Sequence, residues 1–307
     1  MGVSSKHILS QGPVLAALAR TAMSGLRKAK ASAGGEEFAP SAEIVRTVPP
    51  LPRDLLDDYV RHLGGDPRSY RGVVPPHLFP QWAFPLAART LEGLPYPLTR
   101  VVNGGCRMQI NAPLPSGVPL TVSARLADID DDGKRAIFKS HVVTGTPDHP
   151  EALITEFHAI CPVSAKKNAA SSNGASKAKI AKEKPRVPGD AHELLRQRLS
   201  KDSGLSFAKL TGDFNPIHWV PAYAKASGFK SVILHGFGTF ARAYDVLTRT
   251  RFAGDVNALR MLDVRFTRPL VLPTEVGFYV AGNQVFVGDG LNGPAYMVGT
   301  FASGDDK

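Results

Sequence analysis

The sequence predicts an α+β protein built as a tandem repeat of one unit, a mostly apolar helix followed by several antiparallel strands. Three observations carry this expectation. First, the segment KKNAASSNGASKAKIAKEKPRVPG, residues 166–189, is poor in large apolar residues and rich in Ala, Ser, Lys and Pro, the composition of a connector without a core. It divides the 307 residues into two stretches of about 120, each long enough to fold. Second, each stretch places one apolar helix pattern ahead of its strand patterns. Third, matching tags fall at matching places: PPHL (75–78) and ILHG (233–236) before the helix, APL (112–114) and RPL (268–270) among the strands. An apolar helix has to be covered on most sides, and a sheet that curls around it does so. The expected domains are a basic extension 1–40, a unit 41–165, a disordered basic linker 166–188 and a unit 189–307.

In chain order, GPVLAALARTAMSGLRKAKA can form a basic amphipathic helix with no acidic residue. A packed or frayed extension is the plainer expectation, and organellar targeting stays open beside a cytoplasmic location. PRDLLDDYVRHLGGDP reads as a helix with Pro52 near its start and Gly64-Gly65 at its end. VVPPHLFPQWAFPLAARTLE puts Phe79, Trp82, Ala83, Leu86, Ala87 and Leu91 on an apolar helix, followed by the strand patterns RMQINAPL, LTVSARLADI, RAIFKSHVVTG and ALITEFHAICPV. The second unit opens with LLRQRLS, then a short helix SGLSFAKLTG, the loop LTGDFNPIH, a short helix PAYAKAS and SVILHG. The apolar helix GFGTFARAYDVLTRT and the strands LDVRFTRPL, EVGFYVAG, QVFVGD and AYMVGTFAS complete it.

Composition excludes several function classes. Hydrophobic residues make up 43% and charged residues 21%, a globular profile, and no apolar run approaches a membrane span. The net charge of +10 suggests nucleic acid until it is located. Residues 1–30 carry +5 and residues 166–186 carry +6, more than the whole excess, so the folded units are near neutral. A nucleic-acid footprint would lie on a folded face, so no nucleic-acid partner is expected. Cys106 and Cys161 have no metal or redox spacing and are expected to be buried thiols. GDGLNG, 288–293, has three spaced glycines, but a strand pattern rather than a helix follows it, so it is a hairpin turn and not a dinucleotide site.

The chemistry-bearing stretch is LTGDFNPIH. Asp213, Asn215 and His218 lie within six positions, between Gly212 and a stiffening Pro216. Alone, Asp-x-Asn-Pro is a common turn former. With a short helix and ILHG behind it, the run FAKLTGDFNPIHWVPAYAKASGFKSVILHG, Phe207 to Gly236, resembles the signature of the MaoC-like, R-specific (type 2) enoyl-CoA hydratases and 3-hydroxyacyl-thioester dehydratases. The whole chain resembles the double hot-dog members of that family, two antiparallel sheets each wrapped around a central helix, in which only the C-terminal unit keeps the catalytic loop.

The resemblance implies a hydro-lyase of fatty-acid metabolism, reversibly hydrating trans-2-enoyl thioesters to (R)-3-hydroxyacyl thioesters. It implies Asp213 and His218 as the catalytic dyad, Asn215 as the loop-supporting amide and Gly236 as the oxyanion-hole N–H. No cofactor and no metal are implied. The partners would be an acyl-CoA or acyl carrier protein thioester, with the chain a monomeric pseudo-dimer or a homodimer. Leu63-Gly64-Gly65-Asp66 parallels Leu210-Thr211-Gly212-Asp213, but eleven positions separate Asp66 from His77 against twenty-two from Asp213 to His235. Asn-Pro-Ile-His is missing there and Leu78 replaces the glycine, so the first unit is expected to be non-catalytic. Val220 stands where the family usually has Asp, which removes a helix cap. It is the one feature favouring the alternative, a non-catalytic acyl-thioester-binding or scaffolding protein. His235 and His77 are expected to be structural, and Arg265 and Arg268 to lie on a solvated strand face or in salt bridges.

These residue types suit the chemistry. Adding water to a 2-enoyl thioester builds negative charge on the thioester oxygen, which a backbone N–H at a helix N-terminus stabilises. A carboxylate and an imidazole around one water can divide the two proton movements. The sequence leaves open which of the two moves which proton.

Overall fold

The computed structural model describes residues 3–12, 14, 42–163 and 184–304. The basic stretch beyond residue 14 and linker residues 166–183 lie outside the described residues. The chain runs from a 3-10 helix at Ser5–Gln11 into strand β1 (Ile44–Val48) and helix α1 (Arg53–Leu63). A 3-10 turn at Pro76–Leu78 leads into helix α2 (Pro80–Arg89), then β2 (Val102–Ile110), β3 (Leu120–Asp131), β4 (Arg135–Gly145) and β5 (Leu153–Pro162). The second half repeats the order: β6 (His192–Leu199), α3 (Ser203–Thr211), α4 (Pro221–Ala226), α5 (Gly236–Val246), β7 (Leu259–Phe266), β8 (Thr274–Ala281), β9 (Gln284–Gly288) and β10 (Ala295–Ser303).

The duplication is visible in the sheet. Its strand order is β1-β3-β4-β5-β2-β7-β10-β9-β8-β6, so the second five strands repeat the first five in mirror order about the β2–β7 seam. The two expected sheets are therefore joined edge to edge into one ten-stranded antiparallel sheet. At the seam Cys106 pairs with Val264 and Met108 with Leu262. This pairing covers one edge of each five-stranded sheet and leaves β1 and β6 as the outer edges. Gly105, at φ +152°, lets the seam close, because a Cβ there would run into the Val264 carbonyl.

Each sheet curls around its own helix, the double hot-dog arrangement. Every residue of α5 from Phe237 to Val246 is buried, which is why its sequence is apolar nearly all round. Burying one Phe or Val there contributes about 1.5–3 kcal/mol. The two helices also meet. Phe79 lies edge-on to Phe237 and Phe240, with ring centroids 5.6 and 5.8 Å apart. The two units thus share one core, although the sequence divides them into separate domains.

Two expected boundaries move. Residues 184–188, assigned to the linker, belong to the second unit: Val187 is buried, its N–H donates to Gly293 O at 3.0 Å, and its carbonyl accepts from Asn292 N at 2.9 Å. Arg268 explains the attachment. Its guanidinium donates to Ala295 O at 2.8 Å and Lys184 O at 3.1 Å, so it ties down the linker end instead of lying on a solvated face. Residues 3–12 and 14, assigned to the extension, pack on α1 and α3. Cys106 and Cys161 are free buried thiols, and GDGLNG turns β9 into β10 as expected. Among the described residues, no helix is long and apolar enough to cross a membrane.

A candidate active site in the second half

Helix α3 stops at Thr211 because Gly212 takes the left-handed conformation (φ +82°), its N–H closing on Ala208 O at 2.7 Å. The chain then passes through Asp213 and Phe214 into the 3-10 turn Pro216–His218. Asn215 braces this loop from inside: its side chain accepts from Ile217 N at 3.3 Å, and its own N–H donates to Asp213 Oδ1 at 3.3 Å. The first uses the side chain of Asn215 and the second that of Asp213. Gly204 on α3 lies beneath the turn, where a Cβ would strike the His218 carbonyl. The loop therefore rests on α3 at backbone contact.

The geometry selects one tautomer of His218. Its Nδ1 is 2.8 Å from Ile233 O, and a carbonyl only accepts, so Nδ1 carries the proton and Nε2 keeps its lone pair. Burial, reinforced by the neighbouring His235 and opposed by Asp213, pushes the imidazole down to about 3. His218 is therefore neutral at physiological pH.

His235 is more than the helix-entry residue the sequence suggests. It does precede α5 as the N-cap residue. Its ring also stacks on His218, with centroids 3.5 Å apart and planes at 23°. Its Nε2 donates to the Asp213 carbonyl at 2.8 Å and lies 3.9 Å from Asp213 Oδ2. It holds the backbone of Asp213 and the ring of His218. Burial lowers its pKa. A spacing of twenty-two residues carries no sign of a ring stack, so only the fold exposes this role.

Asp213, His218 and His235 bring ligand-type atoms within 4.8 Å of one another. The two imidazole planes lie at 23° to each other.

Gly236, the next residue, opens α5. Its N–H is one of the helix-start donors with no intrahelical partner, at the positive end of the helix dipole. The Phe266 ring sits where a side chain would begin, 2.7 Å from an added Cβ, so any side chain here requires the ring to shift. Val220 is the N-cap of α4 and offers no side-chain bond. Val220→Asp should therefore raise stability by about 1 kcal/mol in urea unfolding.

The first half has no counterpart to the dyad. Its helix cap is Gly64 (φ +100°), equivalent to Gly212, so the sequence parallel shifts by one and Gly65 stands at the position of Asp213. A Cβ on Gly65 would collide with the Asp245 carboxylate, which is held by Arg249 at 2.7 Å. Asp66 has swung outward to cap the turn Pro67–Tyr70 and to pair with Arg68 at 2.8 Å. His77, at the place of His235, is buried among Tyr59, Tyr70 and Tyr244, and stacks on Tyr244 at 4.5 Å.

With this geometry in hand, the comparisons with known proteins are specific. Residues 183–291 match the MaoC like domain family. The chain is similar to the mouse (Mus musculus) peroxisomal multifunctional enzyme type 2, 27% identical over 199 residues that make up 64% of this chain and 26% of that one. It is 39% identical over 98 residues to 3-hydroxyacyl-thioester dehydratase X of Mycobacterium tuberculosis, covering 32% of each chain. A solved MaoC-like dehydratase from Phytophthora capsici has the same fold, with a TM-score of 0.66 over 87% of this chain and 96% of that chain, at 20% identity. The chain spans about a quarter of the mouse enzyme and about a third of the mycobacterial one.

Proposed function

We propose that this chain, whose second half is a MaoC-like domain, is a hydro-lyase that adds water to trans-2-enoyl thioesters and, in reverse, dehydrates (R)-3-hydroxyacyl thioesters. The observation that carries the reading is the convergence of Asp213, a neutral His218 with its Nε2 lone pair free, and the α5 N-terminus at Gly236. A water held by Asp213 and His218 attacks C3. The new C3–O bond forms as the C2–C3 π pair moves into an enolate, whose oxygen rests on the Gly236 N–H. One water proton stays on the new hydroxyl. The other passes through the dyad to C2, so the protein ends as it began. The reaction needs no redox partner, and acid–base groups with one oxyanion donor supply its chemistry. The acyl group would arrive on coenzyme A or on an acyl carrier protein.

The direct experiment incubates the purified full chain with trans-2-enoyl-CoAs of increasing length and follows loss of the conjugated enoyl absorbance. Chiral analysis should find the (R)-3-hydroxy product. Gly236→Ala should cut kcat by about 10²-fold through displacement of the oxyanion donor, and Phe266→Ala in the same chain should recover part of the loss. Acyl-CoA binding by calorimetry with no turnover at any length would sink the enzyme reading and favour a thioester-binding scaffold. The uncapped α4 beside His218 is the feature that such a scaffold would explain.

A further inference from the structure

Residues 3–12 and 14 make a set of contacts that the acid–base chemistry leaves unused. Helix α3 ends with carbonyls that have no intrahelical donor. Gly212 N–H satisfies Ala208 O, but the next two carbonyls need donors from elsewhere. Gln11 supplies them. Its Nε2 donates to Leu210 O at 2.9 Å and approaches Lys209 O at 3.4 Å. Its Oε1 accepts from Gln81 Nε2 at 3.3 Å, and Gln81 belongs to α2 of the other half. Gln11 is fully buried. A carboxamide can donate to the carbonyls on one side and accept from an amide on the other.

Val14 completes the contact. It is 1% exposed, and its Cβ lies 2.7 Å from where a Cβ on Gly212 would be. The segment is anchored away from the loop: Lys6 pairs with Asp54 and His7 with Asp58, both at 2.8 Å on α1. Lys209 Nζ donates back to Val3 O at 3.1 Å.

We infer that residues 5–12 and 14 form a positioning strap for the acid–base loop, with Gln11 as its central residue. The strap holds the last turn of α3 and, through Gly212, sets the direction of Asp213. This inference rests on the hydro-lyase reading for its kinetic consequence, though its structural consequence stands apart from it. The strap bridges α1 and α2 of the first half to α3 of the second. It therefore gives the non-catalytic half a hold on the catalytic loop.

The test uses the full chain with Gln11→Met, which keeps volume and removes the donor, and Gln11→Glu, which presents a carboxylate to two carbonyls. Hydrogen exchange is followed across residues 210–219 and across the sheet, and kcat and KM are measured in wild-type and Asp213→Asn backgrounds. Amides of 210–219 should exchange about tenfold faster in Gln11→Met while sheet amides keep their rates. kcat should fall about tenfold with KM little changed, Gln11→Glu should be worse, and neither should lower activity further once Asp213 is Asn. Unchanged exchange over 210–219, or faster exchange spread evenly over the sheet, would overturn the strap. An equal loss of kcat in both backgrounds would overturn its action through Asp213. A wild-type chain without hydratase activity would refute the hydro-lyase reading and with it the strap's kinetic role, while the exchange result would still decide whether the strap holds the loop.

Discussion

Asp213→Asn and His218→Gln should each lower enoyl-thioester hydration by about 10²–10⁴-fold, the usual contribution of a positioned acid–base group. Asp213→Asn keeps the side-chain oxygen that accepts from Asn215 N and removes only the acid–base function. His218 is already neutral when buried, so replacing it leaves no unpaired charge behind and the fold should survive. The two residues act on one water, so the double variant should be little worse than the poorer single variant. The pH profile gives a second readout. With His218 pushed down to about 3, kcat/KM should show no acid limb near pH 6.5, where an ordinary histidine titrates. Stopped-flow assays of the three variants and a kcat/KM profile from pH 5 to 8 measure both. Wild-type rates in Asp213→Asn would end the dyad assignment.

Acid should destabilise the protein steeply. Three histidines, the buried His77 and His218 and the half-buried His62, are each pushed down to about 3, in every case first by desolvation. The contacts agree with neutrality. His62 Nε2 meets a guanidinium nitrogen of Arg242 at 3.0 Å, so it must accept. His77 has two buried ring nitrogens without a hydrogen-bond partner. All three folded values lie below the unfolded value of about 6.5, so the unfolded chain binds more protons between those limits. Their contribution is complete above pH 6.5 and is lost as pH falls towards 3. Each histidine adds a slope of about 1.4 kcal/mol per pH unit inside that window. Three together approach about 4 kcal/mol per unit, enough to exhaust a domain stability of about 5–15 kcal/mol within a few units. Urea midpoints at pH 7, 6 and 5 should fall progressively. His77→Phe, which keeps a ring among Tyr59, Tyr70 and Tyr244, should flatten the slope by about a third. A midpoint that stays constant from pH 7 to 5 would refute the neutral state of these rings.

Much of the site is legible in the chain because its parts are local. Asp213, Asn215 and His218 sit in one short loop whose glycine and proline dictate its turns. Gly236 follows at a helix start that the apolar pattern marks. Other parts escape because they depend on residues distant in sequence. Gln11 lies 199 positions before the carbonyl it holds, inside a stretch whose composition suggests only a basic extension. His235 looks like any helix-entry residue until its ring is seen against His218. In the first half, Gly64-Gly65-Asp66 invites an alignment of Asp66 with Asp213. The left-handed cap at Gly64 shows that Gly65 holds that place and that Asp245 from α5 fills the space.

By itself the sequence determined the two repeated α+β units and marked the loop Asp213–His218, with no matching Asn-Pro-Ile-His segment in the first half. Hydrophobic periodicity and turn chemistry act over a few residues and leave their mark in order and spacing. The tertiary structure alone decided that two sheets join at β2 and β7, that residues 184–188, 3–12 and 14 belong to the folded body, and that His235 stacks on His218. Edge pairing, ring stacking and the capping of a distant helix end depend on which surfaces meet. The free energy of those meetings comes from burying groups together, and no local pattern encodes the partner.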